Sequence, residues 1–189
     1  MKNKQFKLFS ILVLFIFVIF PNLRTQNKGK EETIQSAQKD IEKGQYLEAE
    51  KKLLWLDDAY HSKADTLSAD YVLVLREMGY VYCKKGKYQK SKDLYIKALQ
   101  IQEKNDINSL DYAITLTRLS DVLINMQSWD GVEANIQKAL NIIKDQSGNN
   151  TPEYADALCM LGVFYLSSQQ LEKTYDVLHE TAIVYSNKL

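Results

Sequence analysis

Glycine and proline are scarce in this chain, 7 and 2 of 189 residues. A β-sandwich or barrel turns about every 8–12 residues, commonly on these two types. This sequence cannot supply such turns. Collagen-like and linker-like sequences are excluded on the same ground. Histidine is limited to His61 and His179, and no H-E-x-x-H, C-x-x-C, G-x-S-x-G or G-x-x-x-x-G-K-[ST] motif occurs. A nucleophile needs a base, and the base an orienting group. No constellation of that kind is legible, so the expectation is a protein without catalytic residues, cofactor or metal. His61 is expected in a linker and His179 on the last helix, both as solvated or partly packed side chains. Asp57-Asp58 lacks the glycine and the further oxygens of a calcium loop. No charge of one sign dominates either: Lys+Arg and Asp+Glu are 24 each, which leaves no basic footprint for nucleic acid. What is present is an ordinary globular balance, 46% hydrophobic and 25% charged, which excludes global disorder.

Residues 1–25 stand apart from the rest. Lys2, Lys4 and Lys7 precede an apolar run of 13 residues, Leu8 to Phe20, interrupted only by Ser10. As a helix this run is about 20 Å long, short of the ~30 Å hydrocarbon core. Pro21 ends it. A positive start and a short apolar core read as a secretory signal peptide. An uncleaved N-terminal membrane anchor remains the alternative, because Phe20, Pro21, Asn22 and Leu23 offer no small-residue cleavage site. No cysteine near position 20 points to a lipid anchor. The segment carries four basic residues and no acid, so the remaining 20 basic and 24 acidic residues give a net charge of −4. The expectation is an exported protein of the periplasm or cell envelope, touching the membrane only through this segment if it is uncleaved.

An internal repeat organises the remainder. Ser68-Ala69-Asp70-Tyr71, Ser109-Leu110-Asp111-Tyr112 and Thr151-Pro152-Glu153-Tyr154 recur at spacings of 41 and 42 residues. Each offers a hydroxyl to cap a helix, an acid for the first turn and a tyrosine. Pro152 suits the first helical position, where its missing N–H costs nothing. Leu75, Met78, Gly79 and Tyr82 recur as Leu116, Leu119, Ser120 and Leu123, then as Leu158, Leu161, Gly162 and Tyr165. That spacing makes one helical stripe. A turn follows each time: Gly86-Lys87-Tyr88, Gln127-Ser128-Trp129 and Gln169-Gln170-Leu171. A second amphipathic helix then begins. An earlier copy shows Gly44-Gln45-Tyr46 followed by Ala49, Leu53 and Leu56. Cys83 and Cys159 fall two units apart in this register and are expected as free thiols.

These residues resemble the tetratricopeptide repeat (TPR). Ala37, Gly79, Ser120 and Gly162 match its small helix-A residue, and Tyr46, Tyr88 and Trp129 its aromatic after the turn. Ala49 and Ser91 match a small residue early in helix B, and Ala98 and Ala139 one near its end. Gln127 and Gln169 stand where the turn glycine is usual, and Val132 and Thr174 where alanine is. The period exceeds the usual length of about 34 residues and is similar to that of kinesin light chains and their bacterial relatives. HEAT-type repeats share the period but lack the Gly-x-Tyr turn. The resemblance implies an all-α fold, a right-handed α-solenoid of stacked antiparallel helix pairs, with about 3.5 TPR-like repeats over residues 31–187.

The resemblance also implies a concave groove lined by the first helix of each pair, holding a segment of a protein or peptide partner. Its free stripe is expected to carry Arg76, Tyr80, Cys83 and Lys84, then Thr117, Arg118, Asp121 and Asn125, then Asp156, Cys159, Val163 and Ser167. Glu77, Arg118 and Met160 stand where kinesin light chains carry an asparagine, and Tyr80 where carboxylate-binding relatives do, so neither ligand class transfers. The function implied is a non-catalytic interaction scaffold. The alternative is a sensory or regulatory part of a larger TPR signalling protein, with a kinase, DNA-binding or caspase-like output domain elsewhere. The last helix carries adjacent apolar pairs, Val177-Leu178 and Ile183-Val184. Its stripe is too wide for one neighbour, and a homodimer through residues 171–187 is a further expectation.

Overall fold

The computed structural model describes residues 28–63 and 65–186. The expected signal or anchor at 1–25 and the end of the chain lie outside them. Within them are eight helices and no strand. They are α1 (28–42), α2 (Tyr46–Ser62), α3 (Ala69–Lys84), α4 (Tyr88–Gln102), α5 (Leu110–Asn125), α6 (Val132–Ser147), α7 (Pro152–Ser167) and α8 (Leu171–Ser186). The helices α3 to α8 pack pairwise in chain order, as the TPR-like α-solenoid requires. The copy read as a half unit has a complete first helix, so the described pairs number four. No described helix is long and apolar enough to cross a membrane.

The chain divides into two compact units, Met1–Asp58 and Ala59–Leu189, with the division inside α2. In the first, Ile34 and Ala37 on α1 and Ala49, Leu53 and Leu56 on α2 are buried. Lys52 ties the two helices by donating to Asp40 and Ser36. Trp55, Leu54 and Leu47 on α2 are exposed. In the second unit α3 to α8 stack in chain order around one apolar core, in which Tyr95, Ile136 and Leu158 are among the most buried side chains.

The helix starts follow the hydroxyl-x-acid-Tyr signature. Ser68, Ser109 and Thr151 have extended backbones, and their hydroxyls accept from the amides of Tyr71, Tyr112 and Tyr154 at 3.3, 3.2 and 3.2 Å. Each cap satisfies an amide that would otherwise lack a partner, worth about 1 kcal/mol. Asp70, Asp111 and Glu153 lie in the first turns, where the helix dipole favours a negative charge.

The helix ends are equally regular. The backbone turns left-handed at Gly44, Gly86, Gln127 and Gln169, with φ of 70°, 70°, 54° and 61°. In every case the next amide bonds back to a carbonyl one turn inside the helix, as Lys87 does to Tyr82 at 2.8 Å and Gln170 to Tyr165 at 2.8 Å. That reverse bond closes the helix in a Schellman motif. Gln127 and Gln169 therefore keep the glycine geometry without the glycine, at a cost of about 1–2 kcal/mol each.

Close approach within each pair runs through the small residue. A Cβ built on Gly79 would lie 2.8 Å from the Tyr95 ring, so only glycine lets α3 and α4 meet there. Ser91 reinforces the contact by donating to the Gly79 carbonyl at 2.6 Å. Another contact recurs at a 26-residue separation. Lys97 donates to the Tyr71 hydroxyl at 2.7 Å and Lys138 to that of Tyr112 at 3.2 Å, each ammonium also lying over the ring. In the last pair Glu180 takes the place of the lysine, and Tyr154 becomes the donor, at 3.2 Å.

The turn before α6 differs from the others, and one local expectation is corrected. Trp129 stands ahead of its helix, unlike Tyr46 and Tyr88, because a left-handed Gly131 delays α6 to Val132. Its ring leans on Phe164 at 6.2 Å, still 38% exposed. His61 lies in the last turn of α2 rather than in a linker, edge-on to the Tyr71 ring at 5.5 Å.

Candidate functional site

The helices α3, α5 and α7 lie side by side along one face of the second unit. A cleft of about 600 Å³ opens there. Of the residues expected on the free stripe, Arg76, Lys84, Thr117, Arg118, Asp121, Asp156 and Cys159 line it. Ile114, Ile143, Glu153 and Met160 complete the lining. Tyr80 and Asn125 do not line it but contact residues that do. The Tyr80 ring lies under both Lys84 and Arg118, each at 5.1 Å from the centroid. Asn125 donates to the Asp121 carboxylate at 2.9 Å and to its carbonyl at 2.8 Å.

The two sides of the cleft are built differently. Between α3 and α5, Arg76 donates to the Asp111 carboxylate, Arg118 stacks on Tyr80, and Cys83 Sγ approaches Asp121 at 3.9 Å. These bridges fix one helix against the other. The carboxylates of Glu153 and Asp156 on α7 have no hydrogen bond or ion pair within the described residues. The cleft thus joins a side with a cationic excess, Arg76, Lys84 and Arg118 beside Asp121, to an acidic side, Glu153 and Asp156, over the apolar Ile114, Ile143 and Met160.

Cys83 departs from its expected place in the groove. It is buried, because α5 covers it and brings Asp121 alongside. Burial first, and then the Asp121 charge, push its thiol above the ordinary range. The Cys159 thiol is also raised by burial, against a hydrogen bond with Tyr185 that lowers it. Both cysteines are free. A raised thiol pKa disfavours the thiolate, the form that attacks. Val163 and Ser167 are exposed. Among the described residues no three His, Cys, Asp or Glu side chains gather as a metal ligand set.

Glu153 and Ile143 escaped the sequence reading of the groove, and Met160 entered it only as a departure from the kinesin light chain pattern. Glu153 was legible only as the first-turn acid of its signature. Ile143 belongs to α6, a second helix of a pair, whose entry under α5 and α7 no stripe count on the first helices reveals.

No family model matches the chain, and no curated protein matches it in sequence. Solved structures do match its fold. One is a single-residue variant of a putative kinesin light chain of Podosopora anserina with nearly identical TPR-like repeats. It has a TM-score of 0.69 at 13% identity, over 84% of this chain and 76% of that one. The form without that change gives a TM-score of 0.66 at 13% identity over the same shares. BtubC (BKLC) from P. vanneervenii gives 0.60 at 17% identity, over 84% of this chain and 74% of that one. At such identities the likeness is one of fold: TPR-like repeats of the kinesin light chain type.

Proposed function

We propose that this protein is a non-catalytic interaction scaffold, exported to the cell envelope, that holds a segment of a partner protein in the groove of α3, α5 and α7. The observation that carries the reading is the two-sided cleft: cations braced on Tyr80 face two carboxylates without partners across an apolar floor. A segment with an acidic and a basic end separated by an apolar side chain is complementary to that arrangement. Chain segments without structure of their own are taken up in such grooves through a few anchors. Charges placed on both sides fix direction and register more than they add affinity. The TPR-like fold of the neighbours supports a protein as the partner.

Cross-linked capture from envelope extracts tests the groove. Arg118→Glu and Asp156→Lys each should abolish capture of the partner that the unchanged chain retains. Lys144→Glu, an exposed change on α6 outside the cleft, should not. Equal capture by all three variants would remove the groove from the account. Export rests on residues 1–25 and has its own test. A reporter fused to residues 1–30 should leave the cytoplasm, and deletion of Leu12–Phe17 should retain it there. Unchanged export after that deletion would refute the targeting reading. A second copy of the chain is a further partner, through α8.

A further inference from the structure

The step from α3 to α5 and the step from α5 to α7 bring the same register positions together. Counted from the capping residues Ser68, Ser109 and Thr151, Arg76 and Thr117 are the eighth residue on, and Asp111 and Glu153 the second. At the first step Arg76 spans the gap and donates to the Asp111 carboxylate. Its side chain is only 16% exposed, so its stem lies within the stack while its head reaches the acid. At the second step Thr117 is too short to span. Its hydroxyl donates to the Ala113 carbonyl of its own helix at 3.1 Å, and the Glu153 carboxylate has no hydrogen bond or ion pair within the described residues. Leu73, Gln102 and Asp111 line a cavity of about 330 Å³ at the first step. Their equivalents Ile114, Ile143 and Glu153 line the cleft of about 600 Å³ at the second.

What spans the first step shows the chemistry that suits the second. A guanidinium presents its donors in a planar fork that matches carboxylates. The second step is the more acidic of the two. Where α5 has Ile114, α7 has Asp156, three residues beyond Glu153 and on the same helix face. Two carboxylates so placed repel each other until a cation joins them. The floor suits the stem of such a side chain. It is made of Ile114, Ile143 and Met160, with Ile143 standing where the first step has the amide of Gln102. The cations already on the cleft are engaged elsewhere, Arg76 with Asp111, and Lys84 and Arg118 on the ring of Tyr80.

We propose that Glu153 and Asp156 take the guanidinium of an arginine in the partner segment, in the way that Asp111 takes that of Arg76, with the arginine stem passing Thr117 along the apolar floor. The inference rests on the groove reading above and names the side chain at the basic end of the segment. Thr117 is then the position that keeps the site open, and an arginine placed there closes it from within.

Amide NMR of the full chain in a mild detergent tests the site, with N-acetyl-arginine methylamide as the probe. The expected result is saturable shifts across residues 152–160, with a Kd in the millimolar range. The citrulline analogue keeps the shape, loses the charge and should shift nothing. Glu153→Gln should raise the Kd about tenfold. Thr117→Arg should abolish binding by supplying the guanidinium from within the chain. It should also raise the melting temperature, and adding Glu153→Gln should cancel that rise, which a merely steric block would not do. No shift with the arginine probe, equal shifts with the citrulline analogue, or binding indifferent to Glu153→Gln would each overturn the proposal. The groove keeps its own readout. A partner released by Arg118→Glu but held unchanged by Glu153→Gln with Asp156→Asn would leave the groove standing and remove the arginine from it.

Discussion

At one register position α3 carries Gly79 and α7 carries Gly162, and what stands opposite differs. Gly79 faces the ring of Tyr95, which is sealed beneath α5. Gly162 faces Leu178, whose nearest atom would lie 3.3 Å from an added Cβ and which is half exposed. The same signature yields a packed interior in the second pair and an open surface in the fourth. Local sequence sets the helix pair, but burial of its outer column comes from the next pair. Whether a repeat residue is core or interface is thus a property of its neighbour.

The largest contrast is expected at the two facing side chains. Tyr95→Ala should cost about 3–5 kcal/mol, the lost burial of a ring plus the cavity left behind. Leu178→Ala should cost only about 1 kcal/mol, because half of that side chain is already in water. Chemical denaturation of both variants measures the difference. Equal losses would mean that α8 is covered as α4 is.

The glycines sharpen the comparison further. Gly79→Ala drives a methyl into a ring held on both sides, at about 1–3 kcal/mol. Gly162→Ala meets a side chain free to shift, and the helix propensity of alanine should give a gain of up to about 1 kcal/mol. Thermal melting should therefore move in opposite directions for one substitution at equivalent places. A gain at Gly79 would break the register.

How much of this was legible in the sequence follows from the range of each interaction. The caps at Ser68, Ser109 and Thr151 depend on atoms within four residues, and their signature was plain. The small residue at Gly79 was legible because repetition marked its place. The late start of α6 was not, because Trp129 occupied the aromatic position while Gly131 held the backbone that decides it. In the groove, seven charged or polar residues were found by their helical stripe. Cys83 was misplaced because a stripe does not show how closely α5 approaches, and Ile143 was missed because it comes from the other layer.

A smaller effect separates the turns. Gln127→Gly and Gln169→Gly should each stabilise by about 0.5–1 kcal/mol, since both relieve a left-handed backbone. Gly86→Gln should lose a similar amount. Loss of stability in the two glutamine variants would show that their side chains contribute more than the strain removes.

Hydrogen exchange followed across a concentration series of the full chain tests most directly the claim that neighbours, not local sequence, decide core from interface. The account predicts that amides of α4 and α6 exchange at rates independent of concentration, because their covering helices belong to the same chain. Amides of α8 should exchange faster at every concentration, because its outer column stands exposed. Protection of α8 equal to that of α4 at every concentration would contradict it.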